Sequence, residues 1–376
     1  MRIAHLANCY GPRSGGLRTT MHELARGYRA AGHEVVLVVP GARTDDEVTA
    51  YGRRITVRAP VVPGTGGYRM IVDVGDVRRI LDGLRPDVLE VSDRTTLGGL
   101  GGWAAERRIA SVVFAHERVD RILGQFLLAT APWAAVADRL NARVGRRFGA
   151  VVATTEFAAT EWVRVGAANL VRIPLGVDLE TFHPRRRDEA LRRRLLGDAK
   201  VLLVQVARLS PEKQPWVGVE TLRQLRGRHV DAALVLAGAG PKEQSLRRRA
   251  GRLPVRFLGH VSSRSDLAAI LASSDLAVVP APHETFGLGA LEALASGTPC
   301  VVSAQSALPA LVSGAGAAAY EPADFSLAAD LLLQRDQDIM RRNARALASR
   351  YPWSVTVERM LALHRSLLDQ RTARAA

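Results

Sequence analysis

Short apolar, β-branched runs recur along this chain from end to end, each followed by a stretch whose apolar residues have helical spacing. Runs this short are strands, and their regular alternation with helices leaves parallel sheets with crossover helices as the economical solution. Residues 2–7 read as the first strand, followed by the glycine-bearing loop Gly11-Pro12-Arg13-Ser14-Gly15-Gly16 and an amphipathic helix over 19–31 that Gly32 stops. Further strands are expected at 34–39, 87–91, 111–115 and 151–154. The pattern restarts after Ile173-Pro174-Leu175-Gly176-Val177-Asp178 and the charged stretch 185–194, with strands at 200–206, 232–237, 255–258, 276–279 and 300–302. A last helical pattern over 355–368 has no strand after it. The expectation is an α/β chain of two Rossmann-like, doubly wound domains facing a central cleft. The first spans 1–173 and the second 174–354, and a segment over 355–376 packs back on the first. A ligand is expected in the cleft, near the carboxyl ends of both sheets.

Composition narrows the classes. A chain of 376 residues with 47% hydrophobic content is long enough for two cores and too apolar for disorder. Its opening, Met1-Arg2-Ile3-Ala4-His5-Leu6-Ala7, lacks an extended signal-peptide core, and no run reaches about 18 uncharged apolar residues. The chain is therefore read as cytoplasmic. Cys9 and Cys300 fit neither a disulfide framework nor a metal cluster. The formal charge of +15 is carried almost wholly by arginine, Lys200, Lys213 and Lys242 being the only lysines. Such a surface favours anionic partners. Without interleaved aromatic and basic residues or zinc-finger spacing, it does not argue for nucleic acid.

The most informative segment follows the strand at 276–279. Pro280-Ala281-Pro282-His283-Glu284 cannot continue a helix or a central strand and reads as a loop, after which 286–296 reads as a helix ended by Gly297-Thr298-Pro299. Glu284 thus stands before a helix and Glu292 about two turns inside it. Free N–H groups at the helix start, with Gly287 admitting close approach, make a seat for a phosphate or a sugar. Glu284 has acceptors for sugar hydroxyls and Glu292 for a ribose diol. Taken alone, the two glutamates equally fit a helix-start charge and a surface residue. Arg208 and Lys213 close the strand at 200–206, and two fixed cations there suit a diphosphate leaving group; two ordinary surface cations are the alternative. His116 and Glu117 follow the strand at 111–115, where a histidine can serve a sugar hydroxyl or stay structural.

Glu284 and Glu292, with Ala293-Leu294-Ala295-Ser296-Gly297-Thr298-Pro299 behind them, resemble the signature of the retaining glycosyltransferases of family 4, which have the GT-B fold. Gly15-Gly16 resembles that family's first glycine loop, Ile173-Pro174-Leu175-Gly176-Val177-Asp178 with Phe182 and Pro184 its linker, and Gly238-Ala239-Gly240-Pro241 its strand-end turn, so the resemblance spans most of the chain. It implies that Glu284 contacts the donor sugar and Glu292 the ribose. It implies that Phe286, Gly287 and Leu288 present backbone amides to sugar and phosphate, and that Arg208 and Lys213 neutralise the leaving diphosphate. His116 would contact the donor sugar near the reacting centre, and Gly259, His260 and Val261 would pass the nucleotide base. Gly15 and Gly16 would approach the donor diphosphate and the acceptor.

The implied reaction is transfer of a hexose from a nucleotide-diphosphate sugar to a hydroxyl of a glycan, glycolipid or small molecule. It proceeds with retention, the donor's own phosphate oxygen taking the proton, and with no cofactor. No Asp-x-Asp pair is placed as a metal site; Asp45-Asp46 is assigned to an early loop, and no divalent cation is expected. Ser262 and Ser263 offer guanine no carboxylate. The arginine-rich composition is of an actinobacterial type, where transferases of this resemblance commonly use GDP-mannose. That tilts the donor toward GDP-mannose, with UDP-glucose and UDP-N-acetylglucosamine as alternatives. A nucleotide-sugar epimerase or a non-catalytic sugar-binding protein can share the fold. A dinucleotide dehydrogenase is disfavoured because the first loop lacks Gly-x-Gly-x-x-Gly spacing. Apolar Ile122-Leu123-Gly124-Gln125-Phe126-Leu127-Leu128, leading to Arg139, Arg143, Arg146 and Arg147, leaves peripheral contact with an anionic inner membrane face as a second option beside a core helix.

Overall fold

The computed structural model describes residues 1–11, 15–63, 67–120 and 133–375. The chain divides into two compact units, one made of Met1–Leu175 with Trp353–Ala376, the other of Gly176–Pro352.

The first unit is built on an eight-stranded sheet of described residues, in the order β3-β4-β2-β1-β5-β6-β7-β8. Its strands are β1 (Arg2–Leu6), β2 (Glu34–Gly41), β3 (Asp45–Thr49), β4 (Gly52–Arg58), β5 (Val88–Val91), β6 (Ala110–Ala115), β7 (Ala150–Ala153) and β8 (Leu170–Arg172). All neighbours run parallel except β3 and β4. The Asp45-Asp46 pair therefore does not lie in a loop: it opens an exposed edge strand. Charge pairing takes the place of apolar alternation there. Arg53 grips Asp46 at 2.9 and 2.6 Å and Arg54 grips Glu47, which is why hydrophobic periodicity does not reveal this hairpin.

Apolar layers cover both faces of the sheet. One contains Val35, Leu37 and Phe114 from the strands, Met21, Leu24 and Tyr28 from helix Gly16–Ala30, and Val357, Met360 and Leu361 from helix Trp353–Ala375. Each fully buried side chain of this size contributes about 1.5–3 kcal/mol, enough to hold the closing helix on this unit. The first helix begins at Gly16 rather than at 19, and the closing helix runs longer than the expected 355–368. No described helix is long and apolar enough to cross a membrane.

His22, buried in the first helix, bonds to the Tyr10 hydroxyl at 2.7 Å and stacks on Tyr51 with centroids 3.7 Å apart. Burial, then the charges of Arg18, Arg54 and Arg26, pushes its pKa down to about 4. Because the folded-state value lies below the ordinary 6.5, the unfolded chain takes the proton more readily between those pH values. Stability therefore falls as pH drops through that window. The expected loss from this residue is on the order of 2 kcal/mol by pH 5. Urea unfolding at pH 7 and pH 5 checks it: His22→Gln should lose less stability between the two than the natural chain, and equal losses would remove His22 as the cause.

The second unit carries a six-stranded, all-parallel sheet of described residues in the order β11-β10-β9-β12-β13-β14. The strands are β9 (Val201–Val206), β10 (Ala232–Ala237), β11 (Val255–Gly259), β12 (Leu276–Val279), β13 (Cys300–Ser303) and β14 (Gly316–Ala319). Strand order reverses around β9, which lies between β10 and β12, so the loops leaving β9 and β12 diverge at a topological switch point. Ligands of doubly wound sheets bind at such a point, and these two loops hold Arg208, Lys213 and Glu284.

Candidate functional site

In the second unit, the loop leaving β9 is pinned to the one leaving β10. Leu209 N–H donates to Ala239 C=O at 3.1 Å and Lys242 N–H to Leu209 C=O at 2.9 Å. Gly238 makes this approach possible, since a Cβ there would lie 1.8 Å from the Ala207 carbonyl oxygen. A single 3₁₀ turn, Pro211–Lys213, follows, and Gln214 takes the left-handed conformation (φ 45°) before helix Pro215–Gly227. The turn carries Lys213 toward the loop after β12, where its Nζ lies 2.7 Å from Glu284 Oε2. Arg208 instead bonds Glu212 at 2.8 Å.

Glu284 is held from several directions. Its carbonyl accepts from Ala307 N–H at 2.9 Å, and its carboxylate accepts from Lys213 and from the Gly287 N–H. Burial pushes the carboxyl pKa up, but the Lys213 ammonium, the hydrogen bonds and Arg208 outweigh it, and the net direction is below the ordinary value. Burial likewise lowers Lys213, and Glu284 more than offsets it, so the ammonium is raised. Both groups are thus charged at neutral pH.

The helix expected over 286–296 spans Leu288–Ala295, with Gly287 as its left-handed N-cap at φ +82°. Phe286 stays outside it, buried and edge-on to Tyr351 at 6.5 Å. The left-handed cap turns the chain into the helix where the Gly287 N–H meets the Glu284 carboxylate. Glu292, 8% exposed, stands 3.4 Å from Arg264, whose guanidinium lies over the Phe182 ring at 4.9 Å. Sequence reasoning missed the contact of Arg264 with Glu292, because the two come from different helices and no spacing links them. Gly259 has φ +66° and open space where a Cβ would point; His260 is exposed and Val261 half-buried. Ser263 caps helix Arg264–Ala272 through a bond from Asp266 N–H at 3.2 Å.

In the first unit, Gly15 and Gly16 stand exposed at the start of helix Gly16–Ala30, with nothing near a Cβ at Gly15. Pro12, Arg13 and Ser14 of the glycine loop lie outside the described residues. His116 follows β6, stacks on Phe114 with centroids 5.1 Å apart and contacts Ser92 Oγ through Nε2 at 2.8 Å. Burial, with His5 and Arg94 adding to it, pushes its pKa down to about 3, so the ring is neutral.

The turn after His116 is clamped from beneath. Arg94 donates to the Glu117 carbonyl, to Asn141 at 2.9 Å and to Glu161 at 3.0 Å, and Glu161 accepts from the N–H groups of Val119 (3.2 Å) and Asp120 (2.7 Å). Sequence reasoning missed this buried pair too, its members lying on different elements. The apolar segment Ile122 to Leu128 lies outside the described residues, while Arg139, Arg143 and Arg146 are exposed on or just beyond helix Trp133–Gly145. Among the described residues, no group of three or more His, Cys, Asp or Glu is placed to hold a metal ion.

Two family models tile the chain: "Glycosyltransferase Family 4" over residues 14–181 and "Glycosyl transferases group 1" over 187–347. Over 365 residues the chain is 46% identical to the GDP-mannose-dependent alpha-(1-6)-phosphatidylinositol dimannoside mannosyltransferase of Mycobacterium tuberculosis, covering 96% of this chain and 95% of that one. It belongs to the GT-B glycosyltransferases. A GDP-mannose-dependent alpha-mannosyltransferase of Mycolicibacterium smegmatis is 27% identical over the full length of both chains. The sucrose-phosphate synthase of Thermosynechococcus elongatus shares the fold at TM-score 0.79 and 20% identity, covering 98% of this chain and 99% of that one. The glycosyltransferase thus has the two doubly wound domains expected of it. Its second unit brings Lys213, Glu284 and Gly287 into one cluster and Glu292 with Arg264 into another. Gly15, Gly16 and His116 belong to the first unit.

Proposed function

We propose that this glycosyltransferase is a mannosyltransferase that moves mannose from GDP-mannose to a phosphatidylinositol-mannoside glycolipid, with retention and without a divalent metal. The observation that carries the reading is the 46% identity, across nearly the whole of both chains, to a relative named for that donor and acceptor. The electrostatics support it. A departing diphosphate needs its developing charge met by groups already in place, and Lys213, fixed by Glu284 and raised in pKa, is such a group. Arg208, tethered through Glu212, is the second cation.

In this reading the N–H groups from Phe286, Gly287 and Leu288 receive sugar and phosphate oxygens, Glu284 takes sugar hydroxyls and Glu292 takes the ribose. Gly259, His260 and Val261 pass the base along their backbone. His116 serves a sugar hydroxyl, and Gly15 and Gly16 border the acceptor. The acceptor is amphiphilic, so the enzyme works peripherally at an anionic inner membrane face, which the exposed arginines suit.

Thermal unfolding with GDP and with UDP tests the donor. At one hundred times its Kd, GDP should stabilise the native state by about 2.7 kcal/mol while UDP does little. Mannosyl transfer from GDP-mannose to phosphatidylinositol dimannoside in the presence of EDTA tests the rest. A larger shift with UDP, or no glycolipid product, would overturn the assignment.

A further inference from the structure

A buried ion pair of the first unit spends its hydrogen bonds on the backbone of one turn. The ladder between β6 and β7 stops at Ala115, and the backbone beyond it needs other partners. The Glu117 carbonyl accepts from Arg94, and the N–H groups of Val119 and Asp120 donate to Glu161 at 3.2 and 2.7 Å. Neither side chain belongs to the turn: Arg94 follows β5, and Glu161 lies on helix Glu156–Arg164. They meet each other at 3.0 Å and are 5% and 0% exposed. Asn141, fully buried on helix Trp133–Gly145, accepts from Arg94 at 2.9 Å, and the guanidinium lies over the Trp162 ring at 5.3 Å. Helix Glu156–Arg164 reaches the turn a second time, through Arg164, which stands 3.4 Å from the Asp120 carboxylate; Arg118 closes on the same carboxylate at 2.7 Å.

Two buried opposite charges cost more in desolvation than an apolar pair of similar volume. A fold that needed only to fill this space would use the apolar pair. What arginine and glutamate add is direction: a planar fork with donors on several edges, and a carboxylate with two accepting oxygens. Here the fork is shared among Asn141, Glu161 and a turn carbonyl, and the carboxylate between two turn N–H groups. His116 stands between the end of β6 and this turn, so its backbone is set by the strand on one side and by the clamp on the other.

We propose that Arg94 and Glu161 are positioning residues of the transferase, which act on the reaction through His116 by fixing the backbone that follows it. Being buried, neither side chain meets the substrate itself. The proposal rests on the role given to His116 above. A reacting group must be held to a fraction of an ångström, and a clamp on the backbone next to it is a direct way to do so.

The test is a double-mutant cycle on mannosyl transfer by the full chain, with Arg94→Lys, His116→Gln and both together. Lysine keeps a charge opposite Glu161 but lacks the fork that spans Asn141 and the Glu117 carbonyl. Arg94→Lys should lower kcat about tenfold, the scale of a slight misplacement of a reacting group, with little change in donor KM. In the His116→Gln background the same change should cost less than about twofold, because the group that the clamp positions is already gone. A clamp that only held the fold together would reduce the active fraction by the same factor in both backgrounds. That result overturns the proposal, as does natural kcat in Arg94→Lys. Asn141→Ala, which removes one arm and keeps the ion pair, carries the same cycle if Arg94→Lys does not fold, with a smaller loss and the same coupling. Natural kcat in His116→Gln is a different failure: it removes His116 from the reaction, and the positioning role with it.

Discussion

Lys213→Ala should lower kcat by about 10²–10³-fold, the usual cost of removing one fixed group that meets charge developing in a transition state, and should also lower the unfolding midpoint at neutral pH, because Glu284 loses its partner. The expectation follows from the site's geometry. Lys213 Nζ and Glu284 Oε2 are 2.7 Å apart, and each holds the other charged. The variant loses a cation and leaves a carboxylate whose burial is no longer offset. Released from the ammonium, Glu284 titrates at higher pH, so the acid limb of kcat/KM should move toward neutrality. The linkage signs follow from the same directions. Glu284 lies below its ordinary value, so its share of stability is present above about pH 4.3 and disappears as pH falls through the folded value. Lys213 lies above its own, so its share is present below about pH 10.4 and disappears as pH rises beyond it. Lys213→Arg should restore little, because a planar fork does not replace a compact ammonium. Steady-state kinetics across pH on Lys213→Ala, Glu284→Gln and the double variant measures the coupling. Additive losses would mean that the pair does not act as a unit.

Gly287→Ala should cost about 2–5 kcal/mol in stability, from the left-handed penalty and overpacking together, and abolish most turnover with it. At φ +82°, an alanine Cβ would sit 2.1 Å from Cδ2 of Leu308, which is fully buried and has nowhere to go. Any relaxation also withdraws the Gly287 N–H from Glu284. Gly289→Ala is the discriminating control. It lies two residues on, inside the helix, and its added Cβ would meet only the Val206 carbonyl at 3.6 Å. There the change should be neutral or gain up to about 1 kcal/mol of helix propensity. Thermal melts of the two variants side by side decide the matter, and equal destabilisation would remove the special status of Gly287.

The central strands of the second sheet, around the switch point, were legible because buried parallel strands are short apolar runs bracketed by turn residues. Val201–Val206, Ala232–Ala237 and Leu276–Val279 all read that way. Less legible were Asp45–Thr49, whose partners are arginines, and Gly316–Ala319, where small residues carry no β preference. At the site, the residue types and their strand-end positions could be read, but the pairings could not. Lys213 meets Glu284 across 71 positions, and Arg264 meets Glu292 through tertiary packing alone. The left-handed cap at Gly287 also escaped, because apolar periodicity continues through Phe286 and does not mark where the backbone turns.

The first unit is completed only by chain that follows the whole of the second. On a ribosome, its apolar layer must wait for Met360 and Leu361, and Glu90 must wait for His364, until all of Gly176–Pro352 has been made. At about 5–20 residues per second that interval is on the order of ten seconds or more. The segment made first is therefore the one finished last, exposing Met21, Leu24 and Tyr28 meanwhile.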